Sequence, residues 1–220
     1  MMYQSLRFPA VCLASLAAFV VTACLCSPTR AGHPVPSVYP VSWELKFEHS
    51  KAKRIVVEVP GSSTPQAFWY MTYTVSNPTD QEQSFLPQFE MLGRDGKVTR
   101  SDNNISPKVF ESIKLRERNN ALQNALQIAG PLRAGEDQAK EGIAIWPEPD
   151  TRMGTFTIFV SGLSGEIAEL KDDNGQPIKD KNDQPIILRK TLEATYQVPG
   201  DEMYPGEDAV NEKSESWVMR

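Results

Sequence analysis

The sequence predicts a mainly β fold, an antiparallel β-sandwich with a helical insertion. Apolar and polar residues alternate with a period of two in several segments, and turn signals separate these segments. Only one stretch has the start and stop signals of helices, whereas a fold of alternating strands and helices would need many. The 17 prolines among 220 residues also favour a protein rich in loops and strands over a helix bundle.

The chain begins with a segment typical of export signals. Arg7 precedes the long apolar run from Phe8 to Cys26, which contains all three cysteines. We predict that residues 1–31 are a signal peptide and that the protein is exported to the periplasm or the extracellular space. No later segment has the ~20 consecutive apolar residues that span a bilayer. The mature chain is therefore expected to have no membrane span.

Two processing routes are consistent with the end of this signal. Residues 29–31 place small side chains at positions −3 and −1 of an ordinary cleavage site, which would start the mature chain at Gly32. Residues 21–24 instead resemble a bacterial lipobox, in which Cys24 becomes lipidated and anchors the protein to a membrane. An uncleaved anchor is a third alternative. The sequence leaves the three open.

The first predicted strands follow an extended leader at residues 32–40, which contains three prolines. Strict alternation from Val41 to Glu48 predicts a half-buried strand with its apolar face on the odd-numbered residues. A second strand near residues 55–59 ends at a Pro-Gly turn. Residues 69–75 alternate in the same way and lead through a turn to a returning strand at 85–92.

Residues 106–130 are predicted to be the helical insertion. Ser106 is a good N-cap and Pro107 suits the first helical position, while Gly130 and Pro131 end the segment. A polar stretch divides two apolar clusters at helical spacing. We therefore expect two short helices or one kinked helix, laid across the sheets.

Strands resume after the insertion, near residues 141–146, 155–160 and 187–198. Between the last two lies a polar stretch with an imperfect internal repeat, in which the pattern of Asn174–Ile178 recurs at Asn182–Ile186. We assign residues 41–200 to the sandwich domain. Residues 201–220 are then an acidic C-terminal tail, and its apolar end at Trp217 to Met219 suggests that the tail is pinned.

The segment from Phe68 to Asp80 resembles a strand and turn of immunoglobulin-like domains in secreted bacterial envelope proteins. The pattern Tyr-x-Val-x-Asn-x-Thr, common in those domains, begins here at Tyr73. Residues 142–146 followed by 156–163 are similar to a later strand pair of such domains. The resemblance implies an immunoglobulin-like sandwich and implies no activity.

Few residues of the mature chain suit catalysis. After the signal no cysteine remains, and the only histidines are His33 and His49, so a nucleophile and a histidine have few ways to meet. Paired carboxylates, as in glycoside cleavage, are the one catalytic option, but exposed acids mostly serve solubility. We expect that the protein is not an enzyme and needs no cofactor.

Charge suggests where a partner would bind. The chain has a net charge of −5, which argues against general nucleic-acid binding. Basic residues are nevertheless concentrated between residues 94 and 118, and Trp146 lies next to a Pro-Glu-Pro loop. Lys114, Arg116, Arg118 and Trp146 are therefore candidate contacts with another envelope protein.

A metal or small-ligand carrier is the alternative. Asp173, Asp180 and Asp183 offer the oxygen ligands that calcium prefers. His33, near the mature N-terminus, offers an imidazole for copper. The leading hypothesis is a non-catalytic sandwich protein used for protein–protein interaction or structure in the bacterial cell envelope, and the carrier is its competitor in the same compartment.

Overall fold

Two antiparallel sheets form most of the structure, a computed structural model that describes residues 33–149, 153–199 and 210–220. The predicted signal peptide, its cleavage sites and Cys24 lie outside the described residues. With 49% strand and 9% helix, the mainly β sandwich with a small helical part is confirmed. In chain order the elements are β1 (Lys46–His49), β2 (Lys53–Val57), β3 (Gln66–Asn77), β4 (Gln83–Phe85), β5 (Gln88–Leu92), β6 (Val98–Arg100), α1 (Pro107–Glu117), α2 (Ala125–Ile128), β7 (Gly130–Leu132), β8 (Gly135–Pro147), β9 (Thr155–Ser161), β10 (Ile167–Glu169), β11 (Ile187–Gln197) and β12 (Asn211–Met219).

The first sheet is built around β3. Strands β1 and β2 pair with successive halves of one of its edges, and β8 pairs along the other. In the second sheet the order is β10, β11, β9, β5 and β6, and β12 pairs with β11. Strands β4 and β7 form a separate short ladder. Among the described residues every strand pair is antiparallel, as the turn-rich sequence predicted.

The core lies between the two sheets. The predicted inner face of β3 is confirmed, since Trp69, Met71, Tyr73 and Val75 are all buried there against residues of β5, β9 and β11. The Phe89 ring lies 4.8 Å from the ring of Tyr73, centroid to centroid. The Tyr73 ring in turn covers Gly142 so closely that a Cβ atom at this glycine would collide with it. A glycine is therefore required opposite Tyr73.

The helical insertion covers the outer face of the first sheet. Val109 and Ile113 of α1 are fully buried against apolar residues of β2, β3 and β8. The Ser106 side chain caps α1 as predicted, and the insertion contains two short helices.

One carboxylate fastens the end of α1 to the sheet below. Glu117 accepts hydrogen bonds from Lys53 Nζ at 2.8 Å and from the Tyr70 hydroxyl at 2.7 Å. Burial alone would raise the pKa of Glu117, but these two donors outweigh it and hold the pKa below its ordinary value. The ionised carboxylate therefore joins helix and sheet.

Two predicted boundaries are corrected. The first strand begins only at Lys46, and Val41 is 70% exposed, because residues 37–45 are held by isolated contacts in place of a continuous ladder. The predicted tail contains β12, which pairs with β11 from Lys190 to Gln197. Alternation in the last ten residues is obscured by charged side chains. The sheet therefore extends to Met219, and the suggestion that the chain end is pinned is confirmed.

Within the described ranges, no helix has the length and the hydropathy of a bilayer span.

Candidate functional site

The basic side of α1 is partly used to hold the helix in place. Arg116 Nη1 donates to the carbonyl oxygen of Arg54 at 3.0 Å, across to β2. Lys114 Nζ lies 5.2 Å from the centroid of the Phe110 ring. Arg118 is the C-cap, with φ at 53°, and its backbone N–H donates to the carbonyls of the last turn. The assignment of these three residues to partner binding stays a prediction.

Trp146 does not lie on the surface, and its assignment as a partner contact is corrected. The side chain is 0% exposed and belongs to the core between the sheets, opposite Trp69. The reason is that β8 continues to Pro147, so period-two alternation turns Trp146 inward with Ala144. The indole Nε1 has no hydrogen-bond partner among the described residues.

The polar stretch between β10 and β11 is an eight-residue repeat in sequence and in structure. Residues 171–178 read Lys-Asp-Asp-Asn-Gly-Gln-Pro-Ile, and residues 179–186 read Lys-Asp-Lys-Asn-Asp-Gln-Pro-Ile. In the first copy Asp172 Oδ1 accepts the backbone N–H groups of Asn174 and Gln176. Asp180 Oδ1 does the same for Asn182 and Gln184. Each copy is thus a hairpin whose turn is closed by its first aspartate.

The three aspartates proposed for calcium have different roles in these hairpins. Asp180 is committed to its turn, and Asp183 pairs with Lys179 at 2.9 Å. Asp173 is exposed, and its counterpart in the second copy is Lys181. Across the described residues, no three His, Cys, Asp or Glu side chains are grouped so as to hold a metal ion. The calcium site, like copper at the exposed His33, stays a prediction that this geometry does not favour.

A polar cleft of about 220 Å³ lies beside the segment of the insertion between α1 and α2, which contributes Asn119 and Leu122 to its lining. Glu48 of β1 and Glu141 of β8 flank it, and both are paired in register with Thr74 of β3 between them. Two strand spacings separate the two acidic residues, or about 9.5 Å between Cα atoms. The Asn119 amide donates to Glu141 at 2.7 Å. The cleft thus contains two carboxylates, but each is already engaged by a neighbouring side chain, Glu141 by Asn119 and Glu48 by Lys46 at 3.4 Å.

A buried ionic cluster fastens the N-terminal leader to the sandwich. Its three members, Glu44, Glu166 and Lys190, are called here the leader clasp. Lys190 is only 3% exposed, and its ammonium lies 2.7 Å from Glu44 and 3.5 Å from Glu166. It also donates to the Ser37 carbonyl at 3.3 Å, and its Nζ lies 4.9 Å from the centroid of the Trp217 ring.

Glu166 completes the clasp from the other side. Its Oε1 accepts the backbone N–H of Ser37 at 2.8 Å. Burial would raise the pKa of Glu166, but the bonds from Ser37 and the nearby Lys190 ammonium outweigh burial and lower the pKa. The clasp joins Glu44 to Lys190 across 146 positions of the chain, so sequence reasoning missed it. The one local signal was a lysine inside an otherwise apolar strand pattern.

The clasp leaves the apolar side chains of the leader in solvent. Val35, Val38, Tyr39 and Val41 are between 70% and 91% exposed, although Ser37 in their midst is hydrogen-bonded on both sides. Three prolines restrict the backbone of this stretch, which bends at Val38–Tyr39 and again at Val41–Ser42. An exposed apolar segment that is fixed at one point is a common mark of an interaction site.

Comparisons with models of known protein families, with curated proteins and with solved structures gave no match to this chain. What supports a function is therefore the geometry of the chain itself.

Proposed function

We propose that this protein is a non-catalytic interaction module of the bacterial cell envelope and that its leader, residues 33–41, binds another envelope protein. The observation that carries the proposal is the leader itself, which is held at Ser37 by the leader clasp and exposes four large apolar side chains. The immunoglobulin-like character of the sandwich and its export belong to the same proposal.

Physical chemistry favours a groove as the partner surface. A proline-rich segment loses less conformational entropy on binding because its prolines already restrict the backbone. Aromatic-lined grooves bind such segments through their apolar side chains. Tyr39 brings a ring with a polar tip, the kind of side chain that often anchors interfaces.

The test is co-purification from the envelope fraction of the source cell after mild crosslinking, with the bound proteins identified by mass spectrometry. A double variant, Val38→Ser with Tyr39→Ser, should lower the yield of a stoichiometric partner more than tenfold, because each buried apolar side chain contributes about 1.5–3 kcal/mol.

Leu126→Ser is the matched control. Leu126 is an apolar residue that is 90% exposed, nearly as much as Val38, and it lies on α2, which packs against β8. Partner capture should be unchanged in this variant. Equal capture by the parent and the leader variant, or no stoichiometric partner at all, would overturn the proposal.

A further inference from the structure

A second concave site lies on the opposite side of the molecule from the helices. Both helices pack against the first sheet. On the outer face of the second sheet, residues of β5, β9 and β11 surround a pocket of about 170 Å³ together with Arg220, which follows β12. Phe159 also lines the pocket but is only 9% exposed, because the guanidinium carbon of Arg220 lies over its ring, 4.1 Å from the centroid.

Two arginines face each other at this pocket. The backbone N–H of Arg189 donates to the Arg220 carbonyl at 2.8 Å, and the N–H of Arg220 donates back at 3.0 Å. Residues in such a reciprocal pair are direct neighbours on the same face of a sheet, about 5.5 Å apart at Cα. Like charges in this position repel and destabilise the pair. A nearby anion would relieve the repulsion.

Only one of the two arginines has a counterion within the described chain. Arg220 Nη1 lies 2.6 Å from Glu90 Oε2. The other oxygen of Glu90 accepts from Arg100 Nε at 3.2 Å, so both oxygens are already used. Arg189 lines the pocket and makes no ion pair with any residue that the structure describes. Counting side chains alone, the pocket lining carries two positive charges, from Arg189 and Arg220, and one negative charge, from Glu90.

Neutral donors complete the lining. Gln88 of β5 and Ser161 of β9 are paired in register, and both line the pocket. Their amide and hydroxyl groups can donate hydrogen bonds to an oxygen anion. The Thr191 hydroxyl is committed to the Arg189 carbonyl at 3.1 Å. The remaining donors of the lining are thus the guanidinium of Arg189, which has no ion-pair partner among the described residues, the Gln88 amide and the Ser161 hydroxyl.

We propose that this pocket binds a carboxylate, which the guanidinium of Arg189 holds through two parallel hydrogen bonds. The planar fork of arginine matches the two oxygens of a carboxylate. The small volume suits one such group. The carboxylate belongs to a free small acid or to an acidic peptide, and these two sources share the same recognition chemistry.

The test is a titration of the mature protein, followed by NMR at the arginine Nε–H groups and by calorimetry. The added compounds are acetate, glutarate, a triglutamate peptide and inorganic phosphate. We expect a carboxylate to shift the Arg189 signal in a saturable way. Arg189→Gln should weaken binding about tenfold or more, because a charged hydrogen-bond donor is lost.

Arg133→Gln is the matched control, since Arg133 is exposed and the change in net charge is the same. Arg189→Lys keeps the charge and loses the fork, so it should also bind more weakly if two parallel bonds matter. A melting temperature close to that of the parent checks that each variant is folded.

The relative affinities of these compounds distinguish the two sources of the carboxylate. Tighter binding of triglutamate than of acetate and glutarate assigns the site to an acidic peptide, and the reverse order assigns it to a free small acid. The proposal is overturned if no carboxylate binds, if only phosphate binds, or if Arg133→Gln weakens binding as much as Arg189→Gln. The site does not involve the leader, so it stands or fails independently of the proposed interaction there.

Discussion

At the scale of single residues, Asp102 is the most unusual side chain of the molecule. Its backbone has a φ of 58°, and its N–H donates to the Ile145 carbonyl of β8 at 2.7 Å. The preceding Ser101 donates its N–H to Phe89 of β5 at 2.9 Å. Two consecutive residues thus join the two sheets, at the cost of a partly buried carboxyl group.

Burial raises the pKa of Asp102 to about 6, although a hydrogen bond from the Ser101 hydroxyl and a backbone hydrogen bond with Ile145 act in the opposite direction. The ordinary pKa of an aspartate is near 3.9. Between these two values the folded protein keeps a proton that the unfolded chain has lost. The free energy of unfolding therefore falls as pH rises from about 4 to about 6 and is lower from there upward.

The first prediction is that Asp102→Asn stabilises the protein at neutral pH. Asparagine tolerates the left-handed conformation and can still accept from Ser101, so the change removes the charge and keeps the geometry. We expect a gain of about 3 kcal/mol at pH 7 and almost none at pH 4.

Urea unfolding at both pH values measures this difference, with Asp80→Asn at an exposed turn as the control. A variant that is no more stable than the parent at neutral pH would show that Asp102 is ionised in the folded protein at little cost.

At the scale of elements, the double hairpin between β10 and β11 is stabilised by backbone bonds that run in a triangle. The N–H of Leu170 donates to Ile186, that of Ile186 to Ile178, and that of Ile178 back to Leu170. The first aspartate of each copy closes the turn that brings these strands together. The repeat in sequence thus corresponds to a repeat in structure.

The second prediction concerns these turns and tests the calcium hypothesis directly. Asp180→Ala should raise the hydrogen-exchange rate of the Ile186 amide about 5- to 30-fold. The variant loses two side-chain hydrogen bonds, which together contribute about 1–2 kcal/mol. Asp173→Ala should leave the rate unchanged, and added calcium should not slow exchange in the parent.

Slower exchange with calcium that disappears in Asp173→Ala would favour a metal site there and contradict the assignment of these carboxylates to turns alone.

At the scale of the whole molecule, the leader clasp connects the leader with the second sheet. Removing one partner of a buried ionic cluster leaves an uncompensated charge, which commonly costs about 3–5 kcal/mol. The third prediction is that Lys190→Met destabilises the protein by that amount in urea unfolding. Replacing Glu44 and Glu166 by Gln in the same chain should recover most of the loss.

Failure of the triple variant to recover stability would mean that Lys190 acts mainly through packing against Trp217.

The clasp should also weaken in acid. The pKa of Glu166 is lower in the folded protein than in the unfolded chain, so its contribution is present above about pH 4 and is lost as pH falls through the folded value.

Sequence reasoning found the faces of the strands but not all of their ends. Period-two alternation identified the buried face of β3, from Trp69 to Val75, because that signal depends only on neighbouring residues. The same signal misjudged Val41, since an alternating pattern does not say whether a neighbouring strand is present to pair with it. Trp146 was misjudged because it stands at the predicted end of its strand, directly before the Pro-Glu-Pro loop, where an aromatic side chain can be exposed.

The sequence by itself determined the mainly β fold, the cap at Ser106, the position of the helical insertion and the eight-residue repeat, because each depends on local spacing and local hydrogen bonds. Only the tertiary structure decided the burial of Trp146, the leader clasp and the meeting of Arg189 with Arg220. These depend on which strands become neighbours. Distant strands pair in the arrangement that buries their apolar faces in one common core. A local pattern of residues does not show which strands these are.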